Sequence, residues 1–181
     1  MRREPIAPST IALVVHDGAA IGRATADRLE ADGAIVRTAD PDASVSGTGI
    51  SDAVAEHGRL DVLAIALSEV PDHAPDDDVL RSAFFALQAA VAVMPSGGRV
   101  CIAAAPRPAD IGSDVPAPAT LVEGGLVAMV RLLAAELAPD IRVNAVCPVG
   151  AGADPVAVAA AVAFLASADA SYVTGAFVPV T

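Results

Sequence analysis

"VVHDGAAIGRATADRLEADGAIVRTAD", residues 14–40, moves from an apolar run through a short polar turn into a helical repeat, then back to an apolar run. The flanking Val and Ile runs read as buried strands. Between them, a 3.6-residue spacing of apolar positions argues for a helix that ends at Gly33, a natural C-terminal cap. Strand, helix and strand in so short a span describe a crossover between parallel strands.

The same alternation continues outward. Strands are expected near 11–15, 34–38, 61–67, 99–104, 141–147 and 176–180, and helices near 19–32, 51–57, 77–94, 117–138 and 155–166. Ser51 and Asp77 are candidate helix caps. The Pro- and Gly-containing stretches 40–50, 68–76, 105–118 and 148–155 read as connections within one domain. Composition agrees with this layered α/β reading. With 54% hydrophobic but only 3% aromatic residues, the core has to be built from Ala, Val, Leu and Ile, which suits parallel strands covered by helices.

A formal charge of -11 excludes the basic surface that nucleic acid or an anionic membrane would select. No apolar run is long enough to span a bilayer. The stretch Ile11–Val15 after Arg2 and Arg3 is too short for a signal peptide and ends at His16 and Asp17. A cytoplasmic protein is expected. Cys101 and Cys147 stand in apolar strands and read as buried, reduced thiols.

Two helices carry more apolar surface than one contact with a sheet uses. On 117–138, Val122, Leu126, Val130, Leu133 and Leu137 form one stripe, and Leu121, Met129 and Leu132 a second. Gly124 and Gly125 predict close backbone packing there. On 77–94 the stripe is Val79, Ala83, Phe84, Leu87, Val91 and Met94. Both helices are expected to face an oligomer partner.

Four stretches carry a resemblance: "AIGRATADRLEADGA" (20–34), "GRLDVL" (58–63), "LAAELAPDIRVNAVCP" (133–148) and "VAFLASADASYVTGAFVPV" (162–180). In this order they resemble the short-chain dehydrogenase/reductase family, particularly its 3-oxoacyl-carrier-protein reductases. The resemblance implies a Rossmann-like, doubly wound parallel sheet of about six strands flanked by helices. Too few residues lie between Asp40 and Ser51 for the family's third strand and its helix, and "VGAGAD" (149–154) replaces the long substrate-covering segment.

The family's cofactor turn, T-G-x-x-x-G-x-G, uses its glycines for a tight turn and for close approach to a pyrophosphate at a helix N-terminus. Aligned without a gap, Val15 takes the threonine position, His16 the first glycine, Ala20 the second and Gly22 the last. A gapped alternative makes Gly18 the first glycine and leaves the turn two residues short. His16 is expected to weaken dinucleotide binding by its bulk and by strain if held at positive φ. Asp40 stands at the spacing of a ribose-binding acid, or is an ordinary turn residue before Pro41.

The family's proton-transfer residues are replaced too. Its tyrosine position falls on Ala119, its lysine on Glu123, and its serine on Ala104 or Ala105. The supporting asparagine falls near Val79, and "NNAG" reads "IALS", Ile65–Ser68. Alanine donates no proton, and glutamate reverses the charge that would lower a tyrosine's pKa. Tyr172, the only tyrosine, lies in the closing segment.

No other chemistry takes their place in the sequence. His73 among Asp72, Asp76, Asp77 and Asp78 reads as a solvated loop opening a helix, in preference to a cation site. His57 has no ligand spacing, and Ser113 with Asp114 has no histidine beside it. The expectation is a catalytically silent homologue with no cofactor, or NAD(P) if any. It would assemble as a homo- or hetero-oligomer with an active paralogue through helices 77–94 and 117–138. A residual NAD(P)-dependent oxidoreductase, or a small-ligand-binding protein using the old crevice, is the alternative.

Overall fold

A computed structural model describes residues 6–41, 47–67, 77–104, 117–149 and 153–181. The strands are β1 (Ile11–His16), β2 (Ile35–Ala39), β3 (Val62–Leu67), β4 (Gly98–Ala104), β5 (Ile141–Pro148) and β6 (Phe177–Val180). The helices are α1 (Ala20–Ala31), α2 (Thr48–His57), α3 (Asp77–Val91), α4 (Ala117–Leu137) and α5 (Pro155–Ala166). All strand pairs are parallel, in the order β2-β1-β3-β4-β5-β6. This is the doubly wound α/β sheet expected, and among the described residues no strand lies beyond β2.

Alternation along each strand divides the core between the two faces. Leu13, Val15, Leu63, Ile65, Val100 and Ile102 point toward the α2–α4 side. Ala12, Val14, Ala64, Ala66, Cys101 and Ala103 point toward α1 and α5. The second face is lined by small side chains, so α1 and α5 lie close on the sheet and against each other. Each large aliphatic residue buried on the first face contributes roughly 1.5–3 kcal/mol over its exposed state.

Buried polar groups fix the sheet ends. The Asp61 carboxylate accepts hydrogen bonds from Ile11 N–H at 2.8 Å and Arg59 Nε at 3.0 Å, joining the starts of β1 and β3. Asn144, 1% exposed, donates to the Val173 carbonyl and accepts from Ala176 N–H, each at 3.0 Å. Arg142 donates to the carbonyls of Leu165 (2.9 Å), Ser167 (3.1 Å) and Val173 (3.3 Å). These bonds tie the end of α5 and the chain before β6 to β5, which is why so short an edge strand holds its place.

Three local expectations are revised. Ser51 does not cap α2, which starts at Thr48 after Gly47 in the left-handed region (φ 72°), so Ser51 lies within the helix. Gly124 is exposed with open space around its Cα, and only Gly125 makes the close approach: a Cβ there would stand 2.8 Å from Leu80 Cδ1 of α3. Of the expected stripes, Ala83, Leu87, Leu126 and Val130 are buried, and Val91, Met94, Met129, Leu133 and Leu137 pack partly buried on the core. Phe84 and Leu132 remain exposed. The side chains of Asp77, Val79, Leu121 and Val122 lie outside the described residues.

Candidate functional site

Strand order reverses between β1 and β3, where β1 leads out to β2 on one side and β3 to β6 on the other. At this switch point, above the carboxyl ends of the strands, an open α/β sheet forms its ligand crevice. His16 closes β1, paired in register with Ala66, and the turn Asp17–Ala19 leads into α1. A crevice of about 550 Å³ opens there between the N-terminal ends of α1 and α5. It is lined by Asp17, Gly18, Ala19, Ala20, Ile21, Ala153 and Pro155.

The turn binds its own amides. His16 Nδ1 accepts from Gly18 N–H at 3.0 Å, and Asp17 Oδ1 accepts from Ala19 N–H at 3.0 Å. The Arg23 guanidinium donates to the Gly18 carbonyl. Gly18 takes the left-handed conformation (φ 82°), and no residue other than glycine has positive φ among those described. The strain expected of His16 is therefore absent, because Gly18 makes the reversal two residues later.

The expected bulk of His16 is present, and its direction is now visible. A Cβ on Gly22 would overlap His16 Cβ and Cγ and stand 2.9 Å from Nδ1, so the imidazole rests against the bare Cα of Gly22. In the family's turn the last glycine permits close helix–strand packing. Here that space holds a side chain.

Asp40 is exposed and follows β2 directly; one step beyond the Val15–Ala39 pair, it stands level with His16 at the crevice end of the sheet. His16, Gly18, Gly22 and Asp40 are thus brought to one sheet end. Ala119 and Glu123 fall in the first half of α4, at the same end, although nothing of their side chains is described. Ala104 closes β4 and is buried. Ala105, Ser68, His73, Ser113 and Asp114 lie outside the described residues.

Tyr172 is fully exposed between α5 and β6, which places it at the amino ends of the strands, opposite the crevice. The residue counts alone carry a simpler signal. All 11 basic side chains are arginine and the chain contains no lysine at any position, so no rearrangement of this chain assembles a Tyr–Lys pair.

Cys101 and Cys147 are buried thiols outside any disulfide, as expected. Burial pushes the Cys101 thiol up to about 12, against a partial opposing pull from Arg142 and Arg99. Burial also lowers the pKa of Arg142. Both groups lie within the sheet and its α5 side, away from the crevice.

Residues 77–152 match the family model described as enoyl-(acyl carrier protein) reductase. A short-chain dehydrogenase/reductase from Serratia marcescens superposes with a TM-score of 0.78 at 26% identity, covering 94% of each chain. A short-chain dehydrogenase from Mycobacterium smegmatis gives 0.77 at 26% identity, covering 100% of this chain and 96% of that one. The chain is thus similar to short-chain dehydrogenase/reductases, in sequence over residues 77–152 and in fold over nearly its whole length. A Brucella melitensis structure described as a short-chain dehydrogenase/reductase, glucose/ribitol dehydrogenase, shares the fold. Its TM-score is 0.80 at 22% identity over 99% of this chain and 97% of that one. Comparison with curated proteins finds no match.

A short-chain dehydrogenase/reductase ordinarily uses NAD(P), its pyrophosphate lying against turn amides and the N-terminus of α1. The residues present do not match that group. The amides of Gly18 and Ala19 are already bonded, the space over Gly22 is filled, and Asp17 brings a carboxylate to the helix end. Among the described residues, no three His, Cys, Asp or Glu side chains converge as a metal site, and no helix is long and apolar enough to cross a membrane.

Proposed function

We propose that this chain is a catalytically silent short-chain dehydrogenase/reductase homologue serving as the non-catalytic subunit beside an active paralogue. The observation that carries the first half is chemical. Proton transfer in the family needs a tyrosine whose pKa a neighbouring lysine lowers. This chain has no lysine, and its one tyrosine is at the wrong end of the sheet. Alanine at 119 and glutamate at 123 neither give up a proton nor stabilise a phenolate.

Retained apolar surface supports the second half. Phe84 on α3 is 49% exposed and Leu132 on α4 is 58% exposed, on two helices that also supply Ala83, Leu87, Leu126 and Val130 to the core. Side chains of this kind gain by burial against a partner helix. Paired helices from a paralogue would bury them while leaving the chemistry to the partner. Two buried cysteines outside any disulfide agree with a cytoplasmic setting.

The crevice of about 550 Å³ supports a second reading, a small-ligand-binding protein without hydride transfer. The purified chain is assayed for NADH- and NADPH-dependent reduction of carbonyl compounds. No turnover above the solution background is expected. Turnover that survives further purification would overturn catalytic silence.

A further inference from the structure

We infer that the β1–α1 turn is closed to a dinucleotide from within, the His16 imidazole and the Asp17 carboxylate occupying the amides and the volume that a pyrophosphate needs. The inference rests on the silent-homologue reading and names the residues that enforce it at the cofactor turn.

A pyrophosphate at this fold's switch point is held by unpaired backbone N–H groups and by the positive end of the following helix. Each of these has a resident substitute here. The Gly18 amide donates to His16 Nδ1, and the Ala19 amide donates to Asp17 Oδ1. An imidazole accepts a hydrogen bond at Nδ1 through that nitrogen's lone pair, so His16 acts in this contact as an acceptor. The carboxylate of Asp17 supplies the negative charge at the start of α1.

Volume and charge act together. The imidazole lies on Gly22, filling the depth that the glycine would leave open. Across the crevice, Asp154 caps α5 by accepting from Val156 N–H at 3.0 Å, so both helix N-termini flanking the crevice carry their own carboxylate. No basic side chain lines the crevice among the described residues, and Arg23 beside the turn is bonded to the Gly18 carbonyl. A doubly charged pyrophosphate would have to displace one carboxylate and approach another, with no arginine freed to offset the repulsion.

Because the occupants are consecutive side chains on an intact backbone turn, substitution opens the site without rebuilding it. The test is calorimetric titration of NADH and of inorganic pyrophosphate into wild type, Asp17→Asn and the His16→Gly/Asp17→Asn double variant. Asp17→Asn keeps an acceptor for the Ala19 amide while removing the charge, so its fold is preserved; circular dichroism and melting confirm this for each protein. The double variant is expected to bind NADH at least about tenfold more tightly than wild type, and Asp17→Asn to bind pyrophosphate a few-fold more tightly. If the double variant fails to fold, the Asp17→Asn comparison decides by itself. Wild type binding NADH as tightly as the double variant, or folded variants showing no gain, would overturn the inference. Carbonyl turnover by wild type would overturn the silent-homologue reading and this inference with it; unchanged binding in variants of an inactive wild type would overturn this inference alone.

Discussion

The imidazole of His16 lies against the bare Cα of Gly22, in space that a Cβ on residue 22 would claim. One residue closes β1 and the other belongs to the first turn of α1, so this contact sets how closely helix and strand approach at the crevice.

Gly22→Ala is therefore expected to destabilise the fold by about 1–3 kcal/mol, the cost of overpacking a filled space. In an unobstructed helix the same change would stabilise by roughly 1 kcal/mol, so the sign is informative. Urea denaturation of Gly22→Ala, His16→Gly and the double variant checks it. The cost of Gly22→Ala should largely vanish in the His16→Gly background, which also removes the Cβ that the new methyl would meet first, giving a coupling of about 1 kcal/mol or more.

The glycine pair in α4 provides a contrast within one helix. Gly124 has open space around it, and Gly124→Ala is expected to stabilise by about 0.5–1 kcal/mol through helix propensity alone. Gly125→Ala gains less, because its new methyl group must push aside the Leu80 methyls of α3. Thermal melts of the two single variants should rank Gly124→Ala above both wild type and Gly125→Ala.

Arg142 joins the carbonyls of Leu165, Ser167 and Val173, sharing the last with Asn144. Arg142→Ala is expected to cost about 3 kcal/mol, since it removes charge-assisted bonds and leaves partly buried acceptors without donors. Arg142→Lys should recover only part of this, because a single ammonium cannot span carbonyls arranged for a planar fork. Hydrogen exchange should show the loss first in β6 and the preceding residues.

Cys101 makes stability depend on pH in the alkaline range. Its thiol ionises near the ordinary 9.0 in the unfolded chain and near 12 in the folded one, where burial disfavours the thiolate. The unfolded state therefore loses its proton first. The contribution of Cys101 to stability is intact below pH 9 and declines as pH rises from about 9 to about 12. Cys101→Ala should fall less steeply than wild type over that window in denaturation curves. At pH 8 in the folded protein, Cys101 should resist alkylation by iodoacetamide, reacting only on unfolding.

Most of the fold was legible because its physics is local: alternating burial marks the strands, and 3.6-residue stripes mark the helices between them. Family likeness was legible in "RVNAVCP" and "SYVTG", which contain the Arg142, Asn144 and Thr174 contacts that bind β6 to β5. The turn was less readable. Its conformation depends on Gly18 absorbing the positive φ, and the resting place of the His16 side chain depends on a glycine six positions away. The difference between Gly124 and Gly125 depends on Leu80, far off in sequence, which periodicity does not reveal. The total absence of lysine needed only a count, and it bears on the chemistry more directly than any alignment of the catalytic positions.

The central claim, a silent subunit held by an active paralogue, is tested most directly by native mass spectrometry of the chain recovered at its natural level from its own cells. The account predicts a complex whose mass is the sum of the 17.9 kDa chain and a dehydrogenase that retains the family's tyrosine and lysine. A mass of 17.9 kDa, or a whole-number multiple of it, would contradict that claim.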